Sequence, residues 1–114
     1  KSNPLIEWHR SFQLDKISKK SIDEISGGEK QKIYLSRIMS VNSEAIIMDE
    51  PNQNLDIENT KKLIKLLLNE RNINKTIILT MHDKEIVKQI ADKIILLNQG
   101  EVEFYGSVNN FLKI

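Results

Sequence analysis

The sequence contains no cysteine. That excludes a disulfide framework, a thiolate nucleophile and thiolate metal ligation, and it fits a reducing compartment. Neither sign of charge prevails: 17 Lys and Arg face 16 Asp and Glu, a formal net charge of +1. A chain so balanced carries no global electrostatic argument for nucleic acid or an anionic surface, and no direct nucleic-acid partner is expected. No apolar run approaches the roughly 20 residues that span a bilayer. The first residues, Lys1-Ser2-Asn3-Pro4, have no apolar core of the secretory kind. They also lack an initiator Met, so a fragment or a processed chain is expected. No His/Cys cluster has the spacing of a structural metal site, and no internal repeat or low-complexity stretch occurs.

What remains is a soluble, globular balance, with 39% hydrophobic and 29% charged residues in 114. The length allows one small domain. Leu5, Ile6, Trp8, Phe12 and Leu14 lie among polar residues and predict a short helix after Pro4. Residues 15–25 are polar, anchored by Ile17, Ile22 and Ile25, and read as a loop with a short turn. A helical pattern runs from Glu29 to about Ser40, with Tyr34, Ile38 and Val41 on one stripe and Leu35 and Met39 beside it. Ala45-Ile46-Ile47-Met48 is wholly apolar and suits a buried parallel strand. A loop from Pro51 to Asp56 leads to a helix over 57–72, with Asp56 as its cap. Thr76–Thr80 is a second strand, Lys84–Ala91 a helix, and Lys93–Asn98 a third strand. After a turn at Gln99-Gly100 come a fourth strand, Glu101–Tyr105, and a short helix, Ser107–Leu112. Strands alternating with helices predict an α/β layer arrangement with parallel strands.

Three segments carry candidate chemistry. In Ser26-Gly27-Gly28-Glu29-Lys30-Gln31, paired glycines open backbone N–H groups to close approach. The following helix adds partial positive charge, and Ser26 adds a hydroxyl donor, which together make an anion-binding cap. An ordinary Ser-Gly-Gly turn that caps a helix explains the same residues. In Ile46-Ile47-Met48-Asp49-Glu50, an apolar strand delivers two carboxylates to the C-terminal edge of a sheet, where open α/β sheets bind ligands. One carboxylate there can hold Mg²⁺ and the next can deprotonate a water. A solvated strand end that merely begins a loop is the alternative. His82 follows the second strand by two residues and can reach a phosphate at the same edge, or it can simply start a helix with Asp83 as cap. Trp8 and Phe12 read as packing residues, His9 as solvated, and Lys19-Lys20 and Lys61-Lys62 as surface charge.

The combination is far more specific than its parts. Ser-Gly-Gly-Glu, a helix, an apolar strand ending in Asp-Glu-Pro, then Asn54-Leu55-Asp56, helix, strand and His82 follow one another in order. From about Ser26 to Gly106 this order and spacing resemble the ATP-binding-cassette (ABC) ATPase family. The resemblance implies an incomplete P-loop NTPase-type α/β fold, a mainly parallel sheet flanked by helices. Residues 1–25 would be the end of the helical subdomain and residues 26–114 the C-terminal part of the ATPase core. Ile25–Gln31 resembles the signature loop, Ile46–Glu50 the Walker B strand, Asn54–Asp56 the D-loop and His82 the switch histidine. In the family two ATPase domains pair head to tail around two ATP molecules. By resemblance Ser26, Gly27, Gly28 and Gln31 would bind ATP held by the partner domain, and Asp56 would couple the two sites. Asp49 would position Mg²⁺, Glu50 would be the general base, and His82 would link the γ-phosphate to Glu50.

Asn52-Gln53 stands where Thr and a small residue are usual, and Lys32 where Arg is frequent. The four glycines, Gly27, Gly28, Gly100 and Gly106, form no Gly-x-x-x-x-Gly-Lys-Ser/Thr loop, the element that cradles phosphates in a complete domain. The polypeptide alone is therefore expected to bind ATP weakly and hydrolyse it negligibly. Its unpaired strand edges invite association with a complementary fragment or with itself. Asp-Glu-Pro and His82 resemble separate transporter ATPase subunits, which implies membrane-spanning partner subunits and a cytoplasmic location on the cytosolic face of a membrane. A soluble ABC ATPase acting on ribosomes or DNA, and a truncated non-catalytic cassette acting as a regulatory partner, are the alternatives.

Overall fold

A computed structural model describes residues 4–41 and 43–113, and for residues 4–6 the backbone alone. Leu5 and Ile6, expected on the apolar side of the first helix, therefore have side chains outside the described residues. The chain divides into two compact units, Lys1–His82 and Asp83–Ile114.

The first unit opens with α1 (Pro4–Ser11), and Pro at a helix start costs nothing because its missing N–H would have no intrahelical partner. The single helix predicted through Leu14 is interrupted. Gln13 adopts a left-handed conformation, φ 54°, and the chain restarts as α2 (Leu14–Ile17). The stretch predicted as loop thus holds α2 and a 3-10 turn, Ile22–Glu24, closed by reciprocal bonds between Ser21 and Glu24. Then come α3 (Gly27–Met39), β1 (Ala45–Asp49), α4 (Ile57–Asn72) and β2 (Thr76–Thr80).

Trp8 and Phe12 are fully buried and pack ring against ring, with centroids 5.7 Å apart, as α1 lies against α3 and α4. In α3 the buried residues are Leu35, Ser36 and Met39, whereas Tyr34 and Val41 are exposed. The inward stripe is therefore the one predicted to lie beside the main stripe, since contact with α1, not apolar content, orients the helix. Leu63, Leu66, Leu67 and Glu70 of α4 recur at helical spacing and are all buried. Lys75 Nζ stands 3.5 Å from the Glu70 carboxylate and offsets its charge.

β1 and β2 pair in parallel, with Ile47 opposite Ile78 and Asp49 opposite Thr80. Ile46 and Met48 are buried on one face, and Ile47 and Ile78 are exposed on the other.

In the second unit Asp83 caps α5 (Lys84–Ile90) by accepting from the N–H groups of Glu85 and Ile86. β3 (Lys93–Asn98) and β4 (Glu101–Ser107) then form an antiparallel hairpin, with an irregularity between Leu96 and Leu97, followed by α6 (Val108–Phe111). The parallel arrangement predicted for the strands holds for β1 and β2 but not for this pair. Gln99 and Gly100 take φ values of 50° and 79°, a two-residue positive-φ turn that can join only adjacent antiparallel strands.

Candidate functional site: a strand-edge cluster and a helix cap

β1 ends at Asp49 because the apolar run ends there, and Pro51 cannot donate to a ladder. Pairing with β2 sets Asp49 beside Thr80. Thr80 Oγ1 donates a short hydrogen bond to Asp49 Oδ1. The same oxygen accepts from the Glu50 N–H at 2.9 Å, and that N–H also reaches the Thr80 carbonyl at 3.2 Å. Two residues beyond β2, His82 Nε2 makes close contact with Glu50 Oε1. Asp49, Glu50 and His82 are thus gathered at one strand edge. Asp49 and His82 are exposed, while the Glu50 side chain is 33% exposed. Glu50 is held with φ at 46°.

This edge can bind and polarise a polar ligand. Histidine fixes one oxygen of the Glu50 carboxylate and leaves the other to accept a proton. An exposed single carboxylate on a rigid strand, here Asp49, is the donor type that Mg²⁺ takes alongside substrate phosphates and water. Among the described residues, no group of three or more His, Cys, Asp or Glu could hold a metal ion by itself.

The second constellation is the start of α3. Ser26 Oγ accepts from the Glu29 N–H at 3.1 Å, and Glu29 Oε1 accepts from the Ser26 N–H at 3.1 Å, a reciprocal capping box. The ordinary capping role is therefore fulfilled. Lys20 Nζ donates to both Glu29 oxygens, at 2.8 and 3.0 Å. The Lys20 ammonium first, and the Ser26 N–H second, hold the Glu29 carboxyl below the usual carboxylate range. The Ser21 hydroxyl and N–H do the same for Glu24.

A Cβ on Gly28 would fall 2.8 Å from the Asn54 carbonyl oxygen, so glycine there is required by close backbone approach. Ser26, Gly28, Lys32, Asn54 and Asp56 border a shallow concavity of about 250 Å³. Asp56 accepts from the Asn59 N–H at 2.8 Å and caps α4, as predicted. Gln31 is different in direction: its Nε2 donates to the Pro51 carbonyl at 2.9 Å, toward the turn after Glu50. His9 Nε2 lies 3.6 Å from Asp15. Thr80 was not singled out by the sequence. Its signal is a hydroxyl residue ending an apolar strand, in register with a carboxylate on the neighbouring one.

The mixed α/β arrangement that brings these groups together is that of part of a P-loop-type cassette. The sequence model of the ABC transporter family matches residues 1–53. A putative ABC transporter ATP-binding protein of Pyrococcus abyssi is 37% identical over 110 residues, 96% of this chain and 42% of its own length. The energy-coupling factor transporter ATP-binding protein EcfA2 of Mycoplasmoides gallisepticum is 39% identical over 84 residues, 74% of this chain and 26% of its own. The ATP-binding cassette MJ0796, in a dimeric post-hydrolysis state with ADP and Pi, superposes with a TM-score of 0.79 at 26% identity, covering 90% of this chain and 45% of that one. The chain belongs to the ABC transporter ATP-binding family. It spans less than half the length of these relatives. Among the described residues, no helix is long and apolar enough to cross a membrane.

Proposed function

We propose that this chain is the C-terminal part of the ATP-hydrolysing subunit of an ABC transporter, with Glu50 as general base for attack of water on the γ-phosphate. The observation that carries the proposal is the contact between His82 Nε2 and Glu50 Oε1 beside Asp49. With its proton on Nε2, His82 donates to the carboxylate and fixes its orientation, and the free oxygen of Glu50 takes the proton of the attacking water. Phosphoryl transfer depends on positioning and charge neutralisation more than on covalent chemistry by the protein. Asp49 would hold Mg²⁺, which neutralises phosphate charge when bound. Ser26, Gly27 and Gly28 would meet the γ-phosphate of ATP held by a second, head-to-tail copy of the domain, through open N–H groups at the start of α3. The dimeric state described for MJ0796 supports the pairing of two copies. Asp56 would link the two sites. Membrane-spanning subunits would be the further partners and the cytosolic membrane face the location, in keeping with the transporter names of the relatives.

The test is steady-state ATPase activity of the whole protein that carries this segment. Glu50→Gln is expected to lower kcat by about 100-fold or more, the scale of a lost general base. His82→Ala is expected to lower it by about tenfold or more with an unchanged unfolding midpoint, because His82 is exposed. Near-normal turnover in Glu50→Gln would defeat the proposal. The isolated 114-residue polypeptide is expected to be inactive.

A further inference from the structure

Gln31 stands on the inward stripe of α3, four residues before Leu35 and eight before Met39, the spacing that keeps side chains on one helix face. Its amide donates to the carbonyl oxygen of Pro51 at 2.9 Å. Within the turn that begins at Glu50, the Glu50 carbonyl accepts from the Gln53 N–H at 3.0 Å, and the Asn52 carbonyl accepts from the Leu55 N–H at 3.2 Å. The carbonyl between them is served by a side chain 20 residues upstream. Pro51 is among the most deeply buried residues, so water does not readily replace that donor. A second contact runs in parallel, the close approach of Gly28 to the Asn54 carbonyl oxygen. The turn is therefore held to the first half of α3 at two points, and Glu50 is the residue directly before the first of them.

We propose that Gln31 is a positioning residue that couples the Ser26–Gly28 cap to Glu50 within one chain. The inference rests on the ATPase function proposed above. The cap would face a nucleotide held by a second copy, and Glu50 one held by its own domain. Displacement of α3 when its N-terminus engages phosphate is passed through the Gln31–Pro51 bond to the backbone that sets the Glu50 carboxylate. Occupancy of one site is thereby felt at the other. Gln31 acts through Pro51 and touches neither nucleotide.

The experiment is ATP hydrolysis and ATP binding by the whole protein with Gln31→Leu, which removes the donor, and Gln31→Glu, which keeps nearly the same shape but cannot donate when ionised. Gln31→Lys restores a donor of similar reach. For Leu and Glu, kcat is expected to fall about tenfold with Kd for ATP unchanged and positive cooperativity in ATP lost, the pattern of an interaction outside the binding contacts. Lys is expected to recover part of both. Should Leu fail to fold, Glu at the same position still decides the matter. Wild-type turnover and cooperativity in both variants would overturn the inference alone. A raised Kd with unchanged kcat would also overturn it, by making Gln31 a nucleotide contact. An inactive wild-type protein would overturn the ATPase proposal and this inference with it.

Discussion

Thr80 donates its hydroxyl hydrogen to Asp49 across the β1–β2 pair, and the two residues are register partners. A hydroxyl has one hydrogen to give. With that hydrogen committed to Asp49, the lone pairs of Thr80 Oγ1 are left to receive the Glu50 N–H at 2.9 Å. One side chain thus orients the carboxylate of one site residue and the backbone of the next, from a strand that joins β1 only through the sheet.

Thr80→Val keeps the shape and β preference of the residue but removes both bonds. A hydrogen bond to a charged group contributes about 1.5–3 kcal/mol, which converts to about ten- to a hundredfold in rate if it acts in the transition state. Turnover of the whole protein is expected to fall on that scale for Val and to stay near wild type for Thr80→Ser. Equal activity in all three would show that strand pairing alone places Asp49.

The glycine pair of α3 separates into two cases. Gly28→Ala sets a methyl 2.8 Å from the Asn54 carbonyl oxygen. Overpacking of that kind costs about 1–3 kcal/mol, which denaturant unfolding would register. At Gly27 the nearest atom to an added Cβ is 3.7 Å away, an ordinary contact with the Asn54 side chain. Gly27→Ala is expected to fold at least as well as wild type, because alanine is the better helix former. Loss of ATPase activity in Gly27→Ala without loss of stability would trace the glycine requirement to another molecule's approach.

Acid should loosen the α3 cap in a defined direction. Lys20 and the Ser26 N–H depress the folded pKa of Glu29 below its ordinary value of 4.5. A depressed carboxyl stabilises the fold fully above the ordinary value, and this contribution is lost as pH falls through the folded one. An NMR titration of the Glu29 carboxyl carbon is expected to show a midpoint below 4.5. Lys20→Ala is expected to move that midpoint upward. An unmoved midpoint would mean that Ser26 alone sets it.

Much of this arrangement was legible in the sequence, for identifiable reasons. An apolar run that stops at two carboxylates suits a strand that delivers them to a sheet edge, and Asp56 stands where a helix takes its cap. The order of the motifs carried the family. Less legible were features fixed by partners distant in sequence. Gln13 breaks the first helix in a conformation that no local signal demands. The inward stripe of α3 is chosen by α1, and Gln31 turns toward Pro51 because a buried carbonyl there requires a donor. The antiparallel hairpin was encoded in Gln99-Gly100, yet alternation of strands and helices argued for parallel pairing. Thr80 gains its role only from the β1–β2 register, which places it opposite Asp49.

Glu50 adopts φ 46°, a region that glycine and asparagine occupy more readily than glutamate does. Foldability and chemistry therefore select different residues at this one position. Glu50→Gly or Glu50→Asn would relax the backbone, to the benefit of thermal resistance, while removing the carboxylate proposed as the proton acceptor. A library screened for robustness alone is expected to drift toward such chains, and the general-base role proposed for Glu50 would be lost with them.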